Sequence, residues 1–204
     1  MKTLLTTFLV LTLSQCISQN VIETNANCLY PCIINNIKEF NTDFDFQLRF
    51  WIHGGNTLPE SQDLFVMTQN EGKWVCDYYT SVQKVSRDRK LLNDYKVKKQ
   101  KIHITDSDSI WKYFLTNKIL EIPDMNSLRH NFFISNIDGS RTEVAVLDGE
   151  TYTFEFLTAN SYKRINYPCP QSYSSTYTHI PELKYIVNII KLIGQKIGKL
   201  DIPC

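Results

Sequence analysis

Beyond residue 20 the chain has no stretch both long and apolar enough to cross a bilayer, which excludes a helical membrane span there. Charge of one sign is also missing. The formal net charge is +1, and Lys2 is the only charged residue among residues 1–18, so a chain without that segment is neutral. Neutrality argues against nucleic acid, or a strongly charged membrane, as the main partner of the whole surface. Several catalytic and metal signatures are absent too. There is no G-x-S-x-G nucleophile elbow, no H-x-x-x-H pair among His53, His103, His130 and His179, no C-x-x-C redox spacing and no repeat of solenoid period. These gaps point away from serine hydrolases, structural zinc and dithiol chemistry, and no cofactor or metal is expected.

What is present begins with an export signal. Residues 1–18 carry a single Lys2, an apolar run from Leu4 to Leu13 and then small or polar residues, the pattern of a secretory signal peptide cut after Ser18. Lipidation at Cys16 is the competing reading, and Gln15 just before it fits that processing poorly. The expectation is a secreted or periplasmic protein, with residues 19–204 forming one globular domain. In an oxidising compartment its five cysteines predict two disulfides and one thiol. Cys169 with Cys204, and Cys28 with Cys32, are the favoured pairs. Cys76, alternating with Trp74 and Tyr78, reads as a core thiol.

Residues 132–169 are the stretch most committed to a structure. They read as four strands in a β-meander, joined at Asp138-Gly139, at Asp148-Gly149 and across residues 158–161. A two-residue turn at Asp148-Gly149 would set Glu143 opposite Phe154. A glycine bulge shifts the register by one and sets Val144 opposite Tyr152 and Thr142 opposite Phe154. Phe132, Ile134, Val144, Val146, Tyr152, Phe154, Phe156, Ile165 and Tyr167 then share one face, while Glu155 lies across from Arg164 on the other. The run from Asp148 and Gly149 through Tyr152 to Glu155, followed by a Tyr/Arg-bearing strand and a proline, resembles a hairpin pattern of exported bacterial proteins of unassigned function. That resemblance spans about a fifth of the chain. It implies a compartment and carries no catalytic residue with it.

Elsewhere a short helix is expected over residues 33–40 and a strand over 43–52, where Phe44, Phe46, Leu48 and Phe50 alternate. Residues 64–69 and 73–79 read as a hairpin around Asn70-Glu71-Gly72, with a bulge pairing Thr68 with Trp74 and Val66 with Cys76. Residues 82–101 read as a basic, weakly periodic segment leading to a short strand near 101–105. Ile110, Trp111, Phe114, Leu115 and Ile119 give helical spacing near residues 108–120. Pro181 opens a final amphipathic helix over 181–198, its stripe formed by Leu183, Ile186, Val187, Ile190, Ile193 and Ile197. The fold class is therefore α+β: antiparallel β-meanders with a C-terminal amphipathic helix packed on the sheet.

Chemistry is sparser. The run from Trp51 through His53 to Gly55 resembles an esterase oxyanion loop, but a strand ending in a glycine turn explains it as well. Glu155 beside another acid such as Glu143 or Asp148 would suit a glycosidase-like hydrolase, and a cross-strand ion pair with Arg164 is the plainer account. Tyrosines between residues 167 and 177 offer aromatic contacts, or simply packing. The basic run is the candidate for binding an anionic ligand or protein. Arg87, Arg89, Lys90, Lys96, Lys98, Lys99 and Lys101, with Lys84, face only Asp88 and Asp94. A lysine-studded edge strand is the alternative explanation. On sequence, the chain reads as an exported non-catalytic binding or envelope-associated module.

Overall fold

The computed structural model describes residues 31–37, 43–53, 60–100, 102, 104, 106–144 and 149–199. Its elements run α1 (Pro31–Ile34), β1 (Phe46–His53), β2 (Ser61–Asn70), β3 (Lys73–Val85), β4 (Leu91–Gln100), α2 (Ser107–Thr116), a 3-10 helix (Met125–Asn131), β5 (Ile134–Ser135), β6 (Arg141–Thr142), β7 (Thr151–Thr158), β8 (Ser161–Pro168), α3 (Pro170–Thr176) and α4 (Pro181–Ile197). Six strands form one antiparallel sheet in the order β4-β3-β2-β1-β7-β8, and β5 and β6 form a separate pair. The class is α+β.

Strict alternation makes β1 the centre of this sheet. Phe46, Leu48, Phe50 and Ile52 point to one face and pair with Thr158, Phe156, Phe154 and Tyr152 of β7. Phe50 stacks on Tyr152 at 5.8 Å between ring centroids and packs on Phe154 at 4.6 Å. That face is sealed by the helices. Ile110, Trp111 and Phe114 of α2, with Leu183, Ile186, Ile189, Ile190 and Ile193 of α4, join the same buried cluster. The opposite face carries a smaller core of Trp51, Leu64, Val66, Tyr79 and Tyr95 beneath Ile33, Ile34 and Ile37.

The local signals for the long helices hold. Asp106 caps α2, its carboxylate accepting from the Ser109 N–H at 2.9 Å, and the helix stops at Asn117 rather than near residue 120. Pro181 starts α4, and Gly198 at φ +76° ends it. Ile189, left out of the expected stripe, is fully buried, whereas Ile197 only packs against the core edge.

The four-strand meander does not form. β7 and β8 pair as expected, with Tyr152 opposite Tyr167, Phe154 opposite Ile165 and Leu157 opposite Tyr162. The Asp138-Gly139 turn also keeps its bulged register, with Ile134 opposite Thr142 and Gly139 at φ +80°. These hairpins do not join. Both sides of β7 are taken, one by β8 and the other by β1. The alternating run Leu48, Phe50, Ile52 offers β7 more apolar area than the short β6 could, so the distant strand wins. Ile134 and Val144 are exposed as a result. The hydroxyl of Tyr177 instead accepts from the Val144 N–H at 2.6 Å and donates to the Val144 carbonyl at 2.9 Å. Val146 and Asp148 lie outside the described residues.

One further expectation is corrected. At Glu71-Gly72 the turn is two residues long, with φ +48° and +74°, so Trp74 pairs with Gln69 and Cys76 with Met67. This register turns Trp74, Cys76 and Tyr78 toward α2, where Trp74 meets Trp111 at 4.6 Å. The bulge would have sent all three to the other face. Residues 82–100, only weakly periodic in sequence, are regular, and Lys101 lies outside the described residues. They supply the end of β3, a five-residue turn and β4. No glycine marks this turn. Arg89 takes the left-handed conformation at φ +64°, and the Ser86 hydroxyl accepts from the Lys90 N–H at 3.0 Å. The expected helix over 33–40 is seen only as α1 and the turn after it, and residues 38–42 lie outside the described part. Among the described residues, no helix is long and apolar enough to cross a membrane.

Candidate functional site

Glu155 sits in the middle of β7, between β1 and β8, on the sheet face opposite the large helices. It is fully buried. One carboxylate oxygen accepts from the Trp51 indole N–H at 2.8 Å and the other from the Tyr162 hydroxyl at 2.8 Å. Arg49 is its cross-strand neighbour on β1 and is equally buried, its Nε donating to Gln47 Oε1 at 2.7 Å. Gln47 in turn donates to the Thr68 hydroxyl at 3.0 Å. Arg164 does lie opposite Glu155 in the register, but it is exposed, and the carboxylate is held by Trp51 and Tyr162. Strand alternation alone produces this row, since Gln47, Arg49, Trp51 and His53 are the odd-numbered partners of the apolar even-numbered stripe.

His53, at the end of β1, continues the row. Its Nδ1 lies 2.6 Å from Gln62 Oε1 and its Nε2 3.0 Å from the Thr153 hydroxyl. Burial pulls its pKa below the ordinary 6.5, against smaller raising effects from the Gln62 hydrogen bond and from Glu155 and Glu60. The ring is thus a neutral bridge across three strands. Gly54 and Gly55, needed for an oxyanion loop, lie outside the described residues. So does Asp148. Glu143 belongs to the loop after β6, where it stands 4.0 Å from Arg129. Glu143 therefore lies outside the sheet that holds Glu155.

The basic run is divided. Lys96 and Lys98 pair with Val82 and Thr80 and share the face that carries Tyr78. Lys99 falls on the other face and bridges to Asp77 at 2.5 Å. Arg87, Arg89 and Lys90 occupy the β3–β4 turn, and Lys101 lies outside the described residues. The seven residues thus do not share one surface. Asp94 takes Lys84 at 2.5 Å, and Asp88 takes Lys90 at 3.0 Å. Hydrogen bonds from Ser86 and then Lys90 hold the Asp88 carboxyl below its usual range, and Lys84 does the same for Asp94.

What the turn has, and the sequence reading overlooked, is aliphatic surface. The last β2 partner along β3 is Ser61 opposite Val82, and the Gln83 N–H still donates to the Glu60 carbonyl at 2.9 Å. Val82 and Val85 are each 45 % exposed, Leu91 42 % and Leu92 39 %. Only a hairpin reading would have shown that Val85 and Leu91 pair at the base of the turn that carries Arg87 and Arg89.

The remaining candidates are structural in placement. Tyr173 and Tyr177 stack with Phe132 at 5.1 and 5.2 Å, so those tyrosines pack rather than project. Cys76 is a free thiol whose Sγ lies 3.5 Å from the Ser107 hydroxyl, and burial raises its pKa to about 11. Cys169 is disulfide-bonded. Cys28, Cys204 and the side chain of Cys32 lie outside what is described. Among the described residues no three His, Cys, Asp or Glu side chains converge as a metal site would require. In comparisons with known proteins, the chain matches no family model and no curated protein.

Proposed function

We propose that this is an exported, non-catalytic binding module that engages an anionic partner through the β3–β4 turn. The observation that carries the reading is the β3–β4 turn itself, where Arg87 and Arg89 stand exposed beside the exposed pair Val85 and Leu91. The export half of the proposal rests on the leader-like residues 1–18 and on the resemblance of the run around Asp148 and Glu155 to exported bacterial proteins. Lipidation at Cys16 is the alternative fate of that leader. Intact mass of the exported product separates the two.

The glycosidase-like alternative needs Glu155 and a second carboxylate flanking an open site. It draws less support from the geometry. Glu155 is sealed from solvent with both oxygens accepting hydrogen bonds, and Glu143 lies in the loop after β6. The binding proposal is tested by retention on immobilised dextran sulfate at low salt. Wild-type protein is expected to be retained, and the double variant Arg87→Gln, Arg89→Gln to elute at distinctly lower salt. Equal elution of the two would refute it.

A further inference from the structure

We infer that the β3–β4 arm docks on the surface of an anionic lipid bilayer. This rests on the anionic-partner reading above and names the partner. Two features of the arm have to be satisfied together. The first is charge. Lys84 and Lys90 are paired with Asp94 and Asp88, whereas Arg87 and Arg89 have no carboxylate within ion-pair distance among the described residues. The second is apolar surface. Val85 and Leu91 are directly paired across the arm and so point to the same side, each a little under half exposed.

A polyanionic glycan or a soluble phosphate would answer the arginines and leave the aliphatic side chains in water. The head-group boundary of an anionic bilayer answers both at once. Phosphates meet the guanidinium groups, and the acyl layer just beneath accepts Val85 and Leu91. Among the described residues the last backbone bond from β3 to its other neighbour is the Gln83 N–H donating to the Glu60 carbonyl at 2.9 Å, and Val85, Leu91 and the turn between them form the tip beyond it. Attraction is local to this arm, because the chain as a whole carries a net charge of only +1. Each feature alone gives only marginal attachment, so the two act as the paired signals that stable membrane binding requires.

The test is cosedimentation with vesicles, using the full chain as recovered from expression beside variants of the same chain, so that any contribution of residues 4–13 is common to all. Vesicles of phosphatidylglycerol mixed with phosphatidylcholine are expected to bind wild-type protein, and pure phosphatidylcholine to bind it far less. Arg87→Gln with Arg89→Gln should weaken binding by roughly tenfold or more. Val85→Ser with Leu91→Ser should weaken it by a similar factor, and high salt should release what remains of that variant. All four positions are exposed, and unchanged thermal unfolding by circular dichroism confirms that the variants fold. Equal binding of wild type and both variants overturns the inference, as does equal binding to neutral and anionic vesicles. Retention on dextran sulfate without binding to vesicles overturns the bilayer while leaving the anionic-partner reading in place. Failure on both supports removes both.

Discussion

Replacing Glu155 by Ala would strand the Trp51 indole N–H and the Tyr162 hydroxyl around an emptied site with Arg49 alongside. Buried donors that lose a charged acceptor are costly, so E155A is expected to lose about 3 kcal/mol of stability, read from the urea midpoint. An unchanged midpoint would mean that the carboxylate is kept for something other than the fold. Cys76 makes a second prediction at this scale. Its thiol is held protonated in the folded protein, with a pKa near 11 against 9.0 unperturbed. Below pH 9 the proton stays on in both folded and unfolded chains, and the thiol contributes no pH dependence. From pH 9 to 11 the unfolded chain releases it first, so stability falls as pH rises. At pH 8 the native thiol should react with iodoacetamide about a hundredfold more slowly than in urea-unfolded protein, measured by mass at the Cys76 peptide. The odd-numbered polar row was only half legible. Sequence alternation placed Glu155 off the aromatic face, but nothing in it said that this face would also be buried or that Trp51 lay across from it.

Turns decided which elements were readable. Asp138-Gly139 and the end of α4 carry glycine where the backbone is left-handed, and both were placed correctly from sequence. The β3–β4 turn puts Arg89 in that conformation instead, so no composition signal marks the hairpin, and the sequence shows only a basic, weakly periodic segment there. The Glu71-Gly72 turn was recognised with the wrong register, because the choice between two and three turn residues is made by what Trp74 and Cys76 pack against and not by the turn itself. Gly72→Val is expected to destabilise the protein by about 1–2 kcal/mol through backbone strain at φ +74°, since nothing lies within 4 Å of an added Cβ. Thermal melts of that variant beside Glu71→Asn, which should hold or slightly raise the midpoint, separate backbone strain from lost contacts.

At the scale of the molecule, both edges of the sheet are finished differently. Along β8 the segment before the 3-10 helix acts as a border. Lys163 donates to the carbonyls of Leu120 and Ile122, the Asn166 N–H donates to Asp124, and Tyr167 donates to the Pro123 carbonyl at 2.6 Å. Along β4 the lysines serve instead, consistent with their role in discouraging edge pairing. Between the edges, Phe50 ties the two halves of the sheet together through Tyr152 and Phe154. Phe50→Ala is expected to cost about 4 kcal/mol and to broaden or abolish cooperative unfolding by calorimetry. A loss below 1 kcal/mol would place the core elsewhere. This central pairing was illegible from sequence, because hairpin rules describe neighbours along the chain, and β1 meets β7 across a separation that no turn signal spans.

That long-range pairing fixes an order of events. While the ribosome is still adding residues up to 150, β1 has a partner on one side only, and the greasy side chains of Leu48 and Phe50 have half their eventual cover. The central strand therefore waits half covered from the time it is made until the last quarter of the polypeptide arrives.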